Sequence, residues 1–582
     1  MMELNRNNWA LVILIIAIIM HLSCNSTDSN GSRKSSRPNI LLVMADDMGY
    51  SDLGCYGGEI NTPNIDALAA NGIKYTQFYN AARCCPTRAS LLTGLYPQQA
   101  GIGHMVSDKG TPAYKGELSK KSVTIAEVLK QSGYSTYLSG KWHVTHWNPE
   151  LEDHETSKHN WPTQRGFDDF FGMISGAGSF YDPRSLARNN KYITPGDDFY
   201  MTDAVTDFAK EKIKNHNEEN PFFMYVAYTA PHWPMHALPE DIEKYKGKYD
   251  QGWDVTRAER LKNMKELGIL SEDAELSDRD SRIPVWSEDI AHKEWELANM
   301  EVYAAMVDRM DAGIGEIVNE LKKKGQLNNT VIFFLQDNGG CAEELDWIGS
   351  PSHYENPQNL PDGYSLQSDS RQQFMIPKTT RDGIPLTVQN KEVMPGPAHT
   401  YTAYGKNWAN VSNTPFKKYK HWVHEGGIAT PLIVHWPNGI KEIGGMQNQP
   451  SHLIDIMATC VDIAGGAYPK THDENNIIPM EGVSLVPNFS SNTFQRDEPL
   501  YWEHEGNRAI RDGKWKLVSR ATNAYTIWDK VDDLPLDQWE LYDMEADRVE
   551  LNDLAPLNPK KVLEMSALWM NWARRTGTVP RP

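Results

Sequence analysis

Cysteine is scarce in this chain, and its six copies follow none of the usual structural patterns. Adjacent cysteines such as Cys84 and Cys85 cannot readily form a disulfide with each other. No pair has the Cys-x-x-Cys spacing that is typical of structural zinc sites. The sequence therefore predicts neither a disulfide framework nor a structural zinc site, and a reactive role remains for one cysteine of this pair.

Positive charge is also in short supply, with 58 Lys and Arg residues against 77 Asp and Glu residues and a formal net charge of -19. Duplex binding depends on cations that neutralise phosphates, so this balance argues against nucleic acid as a partner. An acidic surface also repels anions at long range. Any anionic substrate must therefore be held by a local cluster of cations and a metal ion within a cleft.

The N-terminal apolar run, residues 9–20, is too short to span a bilayer as a helix. This run and the Leu-Ser-Cys ending at Cys24 predict an export signal. The ending resembles a bacterial lipoprotein cleavage box, with His21 where Leu is usual. We expect residues 1–24 to be a lipoprotein-type signal peptide, lipidated Cys24 to attach the protein to the membrane, and residues 25–36 to form a polar linker. The expected location is the periplasm or outer membrane of a bacterium; the alternatives are a plain cleaved signal peptide and, less favoured, a transmembrane anchor.

Four apolar runs that read as strands lead into polar side chains. They are 39–45 before Asp46 and Asp47, 134–139 before Lys141 and His143, 222–228 before His232, and 331–335 before Asp337 and Asn338. Helical patterns at 124–131 and 302–321 separate these strands. Strands that alternate with helices predict a mostly parallel sheet covered by helices on both faces. Because ligands bind beyond the carboxyl ends of such strands, we expect these polar side chains to converge on one site.

The length of 582 residues predicts a large domain, residues 37–492, and a small C-terminal one, residues 493–582. Short alternating strands and a terminal helix at 560–573 indicate that the small domain is α+β with a short antiparallel sheet. Two long segments, 237–286 and 344–413, lack strong periodicity. The second is either a wall of the substrate pocket or a solvated excursion.

The most specific motif runs from Cys84 to Gly94 and reads Cys-Cys-Pro-Thr-Arg-Ala-Ser-Leu-Leu-Thr-Gly. It resembles the Cys-x-Pro-x-Arg signature of the sulfatase family with its Ser-Leu-Leu-Thr-Gly continuation. The resemblance covers nearly all of the chain from Arg37 onwards and implies an alkaline-phosphatase-like α/β fold. In this family a formylglycine-generating enzyme oxidises the first cysteine, so Cys84 is the expected precursor of the nucleophile, held by Arg88 near a helix N-terminus. The alternative is a buried structural cysteine beside an ordinary surface arginine.

The same resemblance implies one metal ion. Asp46, Asp47, Asp337 and Asn338 match the family's ligand positions, and the formylglycine made from Cys84 also coordinates the ion there. These side chains offer only hard oxygens, which suit calcium and, less well, magnesium. On its own, an Asp-Asp pair after a strand is more often a turn or a helix cap.

Four further residues match catalytic positions of the family. Lys141 and His143, in Gly-Lys-Trp-His, are expected to bind sulfate and to abstract the proton that collapses the sulfated intermediate. His232 and Lys420 are expected to bind the substrate at the bridging ester oxygen and to act as leaving-group acids. Lys417 and Lys418 are rivals of Lys420 for this role.

The resemblance therefore implies a sulfuric ester hydrolase that acts on an aryl sulfate or a sulfated glycan. Residues 404–416 and 502–507 look most like bacterial arylsulfatases, and His504 is expected to contact either the substrate or the neighbouring domain. One alternative is a phosphatase or phosphonate monoester hydrolase of the same superfamily. Another is a surface glycan-binding protein in which Cys84 is never converted.

Overall fold

The computed structural model describes residues 37–146, 158–345, 372, 374–490, 494–519 and 539–580. The predicted signal peptide, Cys24 and the linker lie outside these residues, as does part of the segment 344–413. No helix among the described residues combines the length and the hydropathy needed to cross a membrane.

Strands and helices alternate along most of the chain. The strands are β1 (Asn39–Ala45), β2 (Ile73–Tyr79), β3 (Ser135–Gly140), β4 (Asp169–Met173), β5 (Leu186–Arg188), β6 (Lys191–Tyr192), β7 (Phe222–Ala227), β8 (Thr330–Gln336), β9 (Thr387–Val388), β10 (Thr400–Tyr401), β11 (Ala429–His435), β12 (Gly445–Gln447), β13 (Ser451–His452), β14 (Thr471–His472), β15 (Asn475–Asn476), β16 (Leu500–His504), β17 (Asn507–Asp512), β18 (Trp515–Ser519) and β19 (Trp539–Asp543). The α-helices are α1 (Pro63–Ala70), α2 (Cys84–Thr93), α3 (Pro97–Ala100), α4 (Ile125–Gln131), α5 (Met201–Asn215), α6 (Pro239–Glu243), α7 (Gly252–Glu266), α8 (Lys293–Lys323), α9 (Gly405–Ser412), α10 (Glu425–Ile428), α11 (Ile454–Ala464) and α12 (Pro559–Thr576).

The central sheet has the strand order β12-β2-β11-β8-β1-β7-β3-β4-β5-β6, and β13 pairs with β2. β1 lies between β8 and β7 and is parallel to both, and β3 and β4 continue the parallel part. β11 is antiparallel to β8 and β2, while β5 and β6 form an antiparallel edge. This mixed sheet of mostly parallel strands confirms the predicted α/β fold class.

Both faces of the sheet are covered because β1 is apolar along its whole length. Leu41 and Val43 join α8 in one core, and Leu42 and Met44 join α2 and α4 in the other. Successive side chains of a strand point to opposite faces, so a fully apolar strand must bury both. Burial of each aliphatic side chain contributes roughly 1.5–3 kcal/mol to the stability of the fold. This packing fixes the position of the carboxyl end of β1 next to the site.

The C-terminal residues form an antiparallel sheet from β16 to β19, against which α12 packs. A buried charge group joins this unit to the larger one: Lys516 Nζ lies 2.7 Å from an oxygen of Glu425 and 2.7 Å from one of Glu550. Trp502 Nε1 also donates a hydrogen bond to the carbonyl of Asn80 over 2.8 Å. The predicted small α+β unit with a short antiparallel sheet is confirmed.

Candidate active site

The predicted site residues come together at the carboxyl edge of the parallel strands, and all of them are buried. Asp46 and Asp47 follow β1, Lys141 and His143 follow β3, His232 follows β7, and Asp337 and Asn338 follow β8, while Cys84 and Arg88 lie on α2 and Lys420 precedes α10. The short parallel strands in the middle of the sheet end at the same level, which explains why residues so distant in the chain meet.

Cys84 is the first residue of α2. Arg83 before it is extended, with φ −154°, and Gly94 ends the helix in the left-handed region at φ 68°. The free N–H groups and the dipole of a helix N-terminus favour an anion there. Cys84 therefore lies where a negatively charged group is stabilised.

The environment of Cys84 favours the thiolate form of its sulfur. A hydrogen bond with Cys85, the nearby charge of Lys141 and a hydrogen bond with His143 hold the pKa of the Cys84 thiol well below its usual value, although burial opposes this. Burial raises the pKa of the neighbouring Cys85 thiol instead. The two adjacent cysteines therefore differ in reactivity, and the reactive one is Cys84.

Each of the two aspartates after β1 has its own lysine. Lys141 Nζ lies 2.6 Å from Asp46 Oδ2, and Lys420 Nζ lies 2.8 Å from Asp47 Oδ1. His232 Nε2 lies 3.3 Å from Asp47 Oδ2. Burial opposes ionisation of Asp47, but His232 and Lys420 outweigh it and lower the pKa of this carboxyl.

The guanidinium of Arg88 forms ion pairs with Asp337 and Asp46. Its Nη2 lies 2.9 Å from Asp337 Oδ2 and 3.6 Å from Asp46 Oδ2, and the guanidinium is fully buried. Its Nη1 donates to the carbonyl of Lys141 over 3.3 Å. The hypothesis of an ordinary surface arginine at this position is therefore wrong, and Arg88 has the contacts of a positioning cation.

Two oxygens of this cluster, Asp46 Oδ1 and Asn338 Oδ1, are buried without a hydrogen-bond partner. Asn338 Nδ2 donates to Asp47 Oδ1 over 2.7 Å, and the amide of Asp47 donates to Asp337 Oδ1 over 3.1 Å. Buried polar atoms are normally satisfied, so orphaned oxygens among three carboxylates are suited to binding a cation. The all-oxygen donor set suits a hard ion such as calcium or magnesium.

His143 and His232 are both held as neutral rings by burial, which lowers the pKa of each to about 4. His143 hydrogen-bonds to Cys84. His232 Nδ1 lies 2.6 Å from the carbonyl of Trp233 and donates to it, which leaves Nε2 on the side of Asp47. A neutral imidazole is able to take a proton at neutral pH.

Lys417 and Lys418, the two alternatives to Lys420, make contacts away from the aspartates. Lys417 Nζ lies 2.8 Å from Tyr542 Oη and 3.2 Å from Glu540 Oε2, in the C-terminal unit. Lys418 lies over the ring of Trp422. Of the three lysines, only Lys420 reaches the aspartates.

Sequence reasoning missed several residues of the site. Gly176 packs so closely on the ring of His143 that a Cβ there would lie 2.3 Å from it. Tyr225 Oη lies 3.4 Å from Arg88 Nη1. Arg83 and His421, each next to a predicted site residue in the chain, also lie beside the site; that adjacency was the available signal.

The sequence of this chain is similar to those of known protein families and individual proteins. The model of a family described as "Sulfatase" matches residues 38–467, and one described as "N-sulphoglucosamine sulphohydrolase, C-terminal" matches residues 416–567. An uncharacterized sulfatase of Schizosaccharomyces pombe is 30% identical over 95% of this chain and 96% of its own length. An arylsulfatase of Klebsiella aerogenes is 32% identical over 78% and 92%. An N-acetylglucosamine-6-O-sulfatase of Bacteroides thetaiotaomicron is 27% identical over 94% and 88%.

Solved structures share the fold. The crystal structure of Ps i-CgsB matches with a TM-score of 0.60 and 24% identity over 92% of this chain and 93% of that one. The phosphonate monoester hydrolase of Agrobacterium radiobacter matches with a TM-score of 0.53 and 18% identity over 93% and 96%. At these identities the likeness concerns the fold alone.

Proposed function

Because this chain belongs to the sulfatase family and is a sulfuric ester hydrolase, we propose that it cleaves sulfate monoesters with a formylglycine made from Cys84 and one calcium ion. The observation that carries the proposal is the position of Cys84. Its sulfur lies at the N-terminus of a buried helix, close to Lys141 and His143, in a site where Asp46 and Asn338 each have an orphaned oxygen. These cations supply the local positive field that an acidic protein needs to hold sulfate.

In the proposed matured protein, the oxygens of a hydrated aldehyde take the position of the Cys84 sulfur. In that form formylglycine supplies one hydroxyl that attacks sulfur and a second whose deprotonation expels sulfate. Arg88 fixes Asp337 and Asp46 around this position, and Lys141 lies on the same side to bind a sulfate oxygen. A formylglycine-generating enzyme is the maturation partner that this chemistry requires.

Asp46, Asp47, Asp337 and Asn338 would hold the ion. A bound calcium ion supplies a charge that polarises the sulfate and lowers the pKa of the attacking hydroxyl. Calcium is favoured over magnesium because magnesium keeps several waters, whereas this donor set is a buried cage of protein oxygens. Rotation of the Asn338 amide would bring its orphaned Oδ1 to the side of Asp47, as a ligand oxygen requires.

Proton transfer is assigned to the imidazoles. His143, neutral and hydrogen-bonded to residue 84, takes the proton when the sulfated intermediate collapses. Nδ1 of His232 is engaged by the Trp233 carbonyl, so Nε2 is the nitrogen that faces the bridging ester oxygen. It donates a proton there in the imidazolium form, which the nearby carboxylate of Asp47 favours. Asp47 outweighs burial and holds the pKa of Lys420 well above its usual value, so Lys420 stays cationic and stabilises the departing oxygen.

Paired substrates test this assignment. The matured protein should hydrolyse 4-nitrophenyl sulfate faster than 4-nitrophenyl phosphate. A preference for phosphate would favour the phosphatase or phosphonate monoester hydrolase. Only unmodified Cys84 in protein isolated from its native host would favour the glycan-binding alternative.

The natural substrate and location are further parts of the proposal. The relatives that act on aryl sulfates and on N-acetylglucosamine 6-sulfate support a sulfated small molecule or glycan. The N-terminal pattern of residues 9–24 supports export and lipidation at Cys24. Metabolic labelling with a fatty acid, with a Cys24→Ala control, tests the anchor; equal labelling of both proteins would contradict it.

A further inference from the structure

A second group of polar side chains lies beside the active site, and no role in the steps above uses it. We call it the polar ring; it consists of Arg83, His104, Glu343, His421, His504 and Glu505. These residues come from loops of the large unit and, in the small one, from the end of β16 and the turn that follows it. The ring therefore joins both parts of the chain.

Glu505 is the centre of the ring. His421 Nδ1 lies 2.8 Å from its Oε2, and His104 Nε2 lies 3.2 Å from its Oε1. Arg83 Nη1 lies 3.4 Å from the same Oε1. His504 lies 3.6 Å from Oε1 and stacks on His104, with ring centroids 5.9 Å apart.

Glu343 completes the ring on the opposite side of His421. His421 Nε2 lies 2.9 Å from its Oε1, and Arg83 Nη2 lies 3.4 Å from the same oxygen. Trp233 Nε1 donates to its Oε2 over 3.0 Å. His421 and Arg83 thus lie between two carboxylates, and the guanidinium of Arg83 compensates part of their charge.

The chain itself connects the ring to the catalytic residues. Arg83 precedes Cys84, His421 follows Lys420, and the Trp233 that binds Glu343 follows His232. The side chains of Lys141 and Lys420 are exposed by only 0% and 2%, whereas those of Glu343 and Glu505 are exposed by 12% and 16%. The ring therefore lies between the buried sulfate-binding residues and solvent, where the leaving group of an ester must lie.

We propose that Glu343 and Glu505 bind the leaving group and select sulfate esters whose leaving group is uncharged and carries hydroxyls over esters that carry a carboxylate. This inference rests on the proposed sulfatase function. Ionised carboxylates only accept hydrogen bonds, and each has more acceptor sites than the ring fills. A hydroxyl can donate to them, whereas a substrate carboxylate has no proton to donate and is repelled. Burial opposes ionisation, but Lys420 and His421 keep the pKa of Glu343 well below its usual value, and His421 and Arg83 do so for Glu505.

Two aryl sulfates of similar leaving-group acidity test the selection: 3-(hydroxymethyl)phenyl sulfate and 3-carboxyphenyl sulfate. We expect kcat/KM of the matured protein to be roughly tenfold higher for the hydroxymethyl ester. Glu505→Gln and Glu343→Gln should each reduce this ratio at least about threefold by accelerating the carboxylated ester. Glu545→Gln, an exposed charge removal in the same small unit, is the matched control and should keep the native ratio.

Equal or better turnover of the carboxylated ester by the native protein would overturn the inference, and so would variants that slow both esters alike, which indicates a structural role. If Glu505→Gln does not fold, Glu343→Gln decides, because Glu343 lies on a different loop. Turnover without discrimination contradicts only the polar ring, whereas no turnover of either ester contradicts the sulfatase function itself.

Discussion

Lys141 Nζ lies 2.6 Å from Asp46 Oδ2, and both side chains are fully buried. Such a pair loses its hydration in the fold, so the ammonium has to be matched by the carboxylate. Asp46 keeps its second oxygen unpartnered. The Lys141–Asp46 pair therefore offers a cation that can bind sulfate and a free carboxylate oxygen that can bind a metal ion.

Replacement of the nucleophile precursor should remove activity without unfolding the protein. Cys84→Ala leaves no group that can become an aldehyde, so we expect kcat to fall by at least about 10³-fold. Cys460→Ala, another buried free cysteine on α11, is the control and should retain native kcat. Steady-state hydrolysis of an aryl sulfate, with circular dichroism for the fold, checks this; comparable activity of the two variants would contradict the role of Cys84.

Removal of the metal ion should lower both activity and stability. Without a cation, Asp46, Asp47 and Asp337 repel one another in a buried site. A ligand at 100 times its Kd adds about 2.7 kcal/mol, and we expect a loss of this order on treatment with a calcium-selective chelator. Melting curves and activity should recover with calcium more fully than with magnesium. Asp46→Asn should blunt the response and the exposed control Asp289→Asn should not; an identical response in all three proteins would argue against the site.

Loss of the base should affect turnover more than binding. His143→Ala removes the imidazole beside residue 84, so we expect kcat to fall by about 10²–10⁴-fold with a smaller change in KM. His146→Ala, an exposed histidine three residues later, serves as control. A native kcat in His143→Ala would exclude it as the base.

Acid should destabilise the protein through a histidine remote from the metal site. Burial lowers the pKa of His236 to about 3, and its neutral ring accepts from the amide of Phe180 and donates to the carbonyl of Thr400. Because the unfolded residue titrates near 6.5, the unfolded state binds more protons as pH falls below that value, and stability decreases. From pH 7.5 to pH 5 this one group should cost roughly 2 kcal/mol. His236→Gln, which keeps a donor and an acceptor but does not titrate, should show a shallower pH dependence of Tm; an unchanged slope would refute this.

The contact between the two units should depend on one lysine. Lys516→Ala would leave Glu550 buried without the cation that it shares with Glu425, at a cost of about 3–5 kcal/mol, whereas Arg548 would still pair with Glu425. Lys514→Ala, an exposed change before the same strand, should leave Tm close to the native value. Equal Tm values for the two variants would show that the buried group is not what holds the units together.

The sequence predicted the sheet well because β1, β7 and β8 are uninterrupted apolar runs that end at polar residues. A strand that is buried on both faces has to be apolar along its whole length. It did not predict that β11 would insert antiparallel between β8 and β2. Strand order depends on long-range packing, which no local pattern encodes.

The site residues were found through motifs, whereas in the polar ring only His504 and Glu505 lie in a segment, residues 502–507, that a resemblance had singled out. Glu343 and Glu505 lie on loops with no periodicity, and they meet only because the small unit folds back onto the large one. Gly176 was missed for a similar reason: its role depends on the ring of His143, which approaches it from a distant part of the chain.

The central claim is that the active nucleophile is an aldehyde at position 84. The most direct measurement is the mass of the peptide that contains Cys84, determined on preparations matured to different extents and compared with the sulfatase activity of each. We predict that activity is proportional to the fraction of chains that carry the aldehyde and vanishes when all of them carry the thiol. Full activity in a preparation with only unmodified Cys84 would contradict the account.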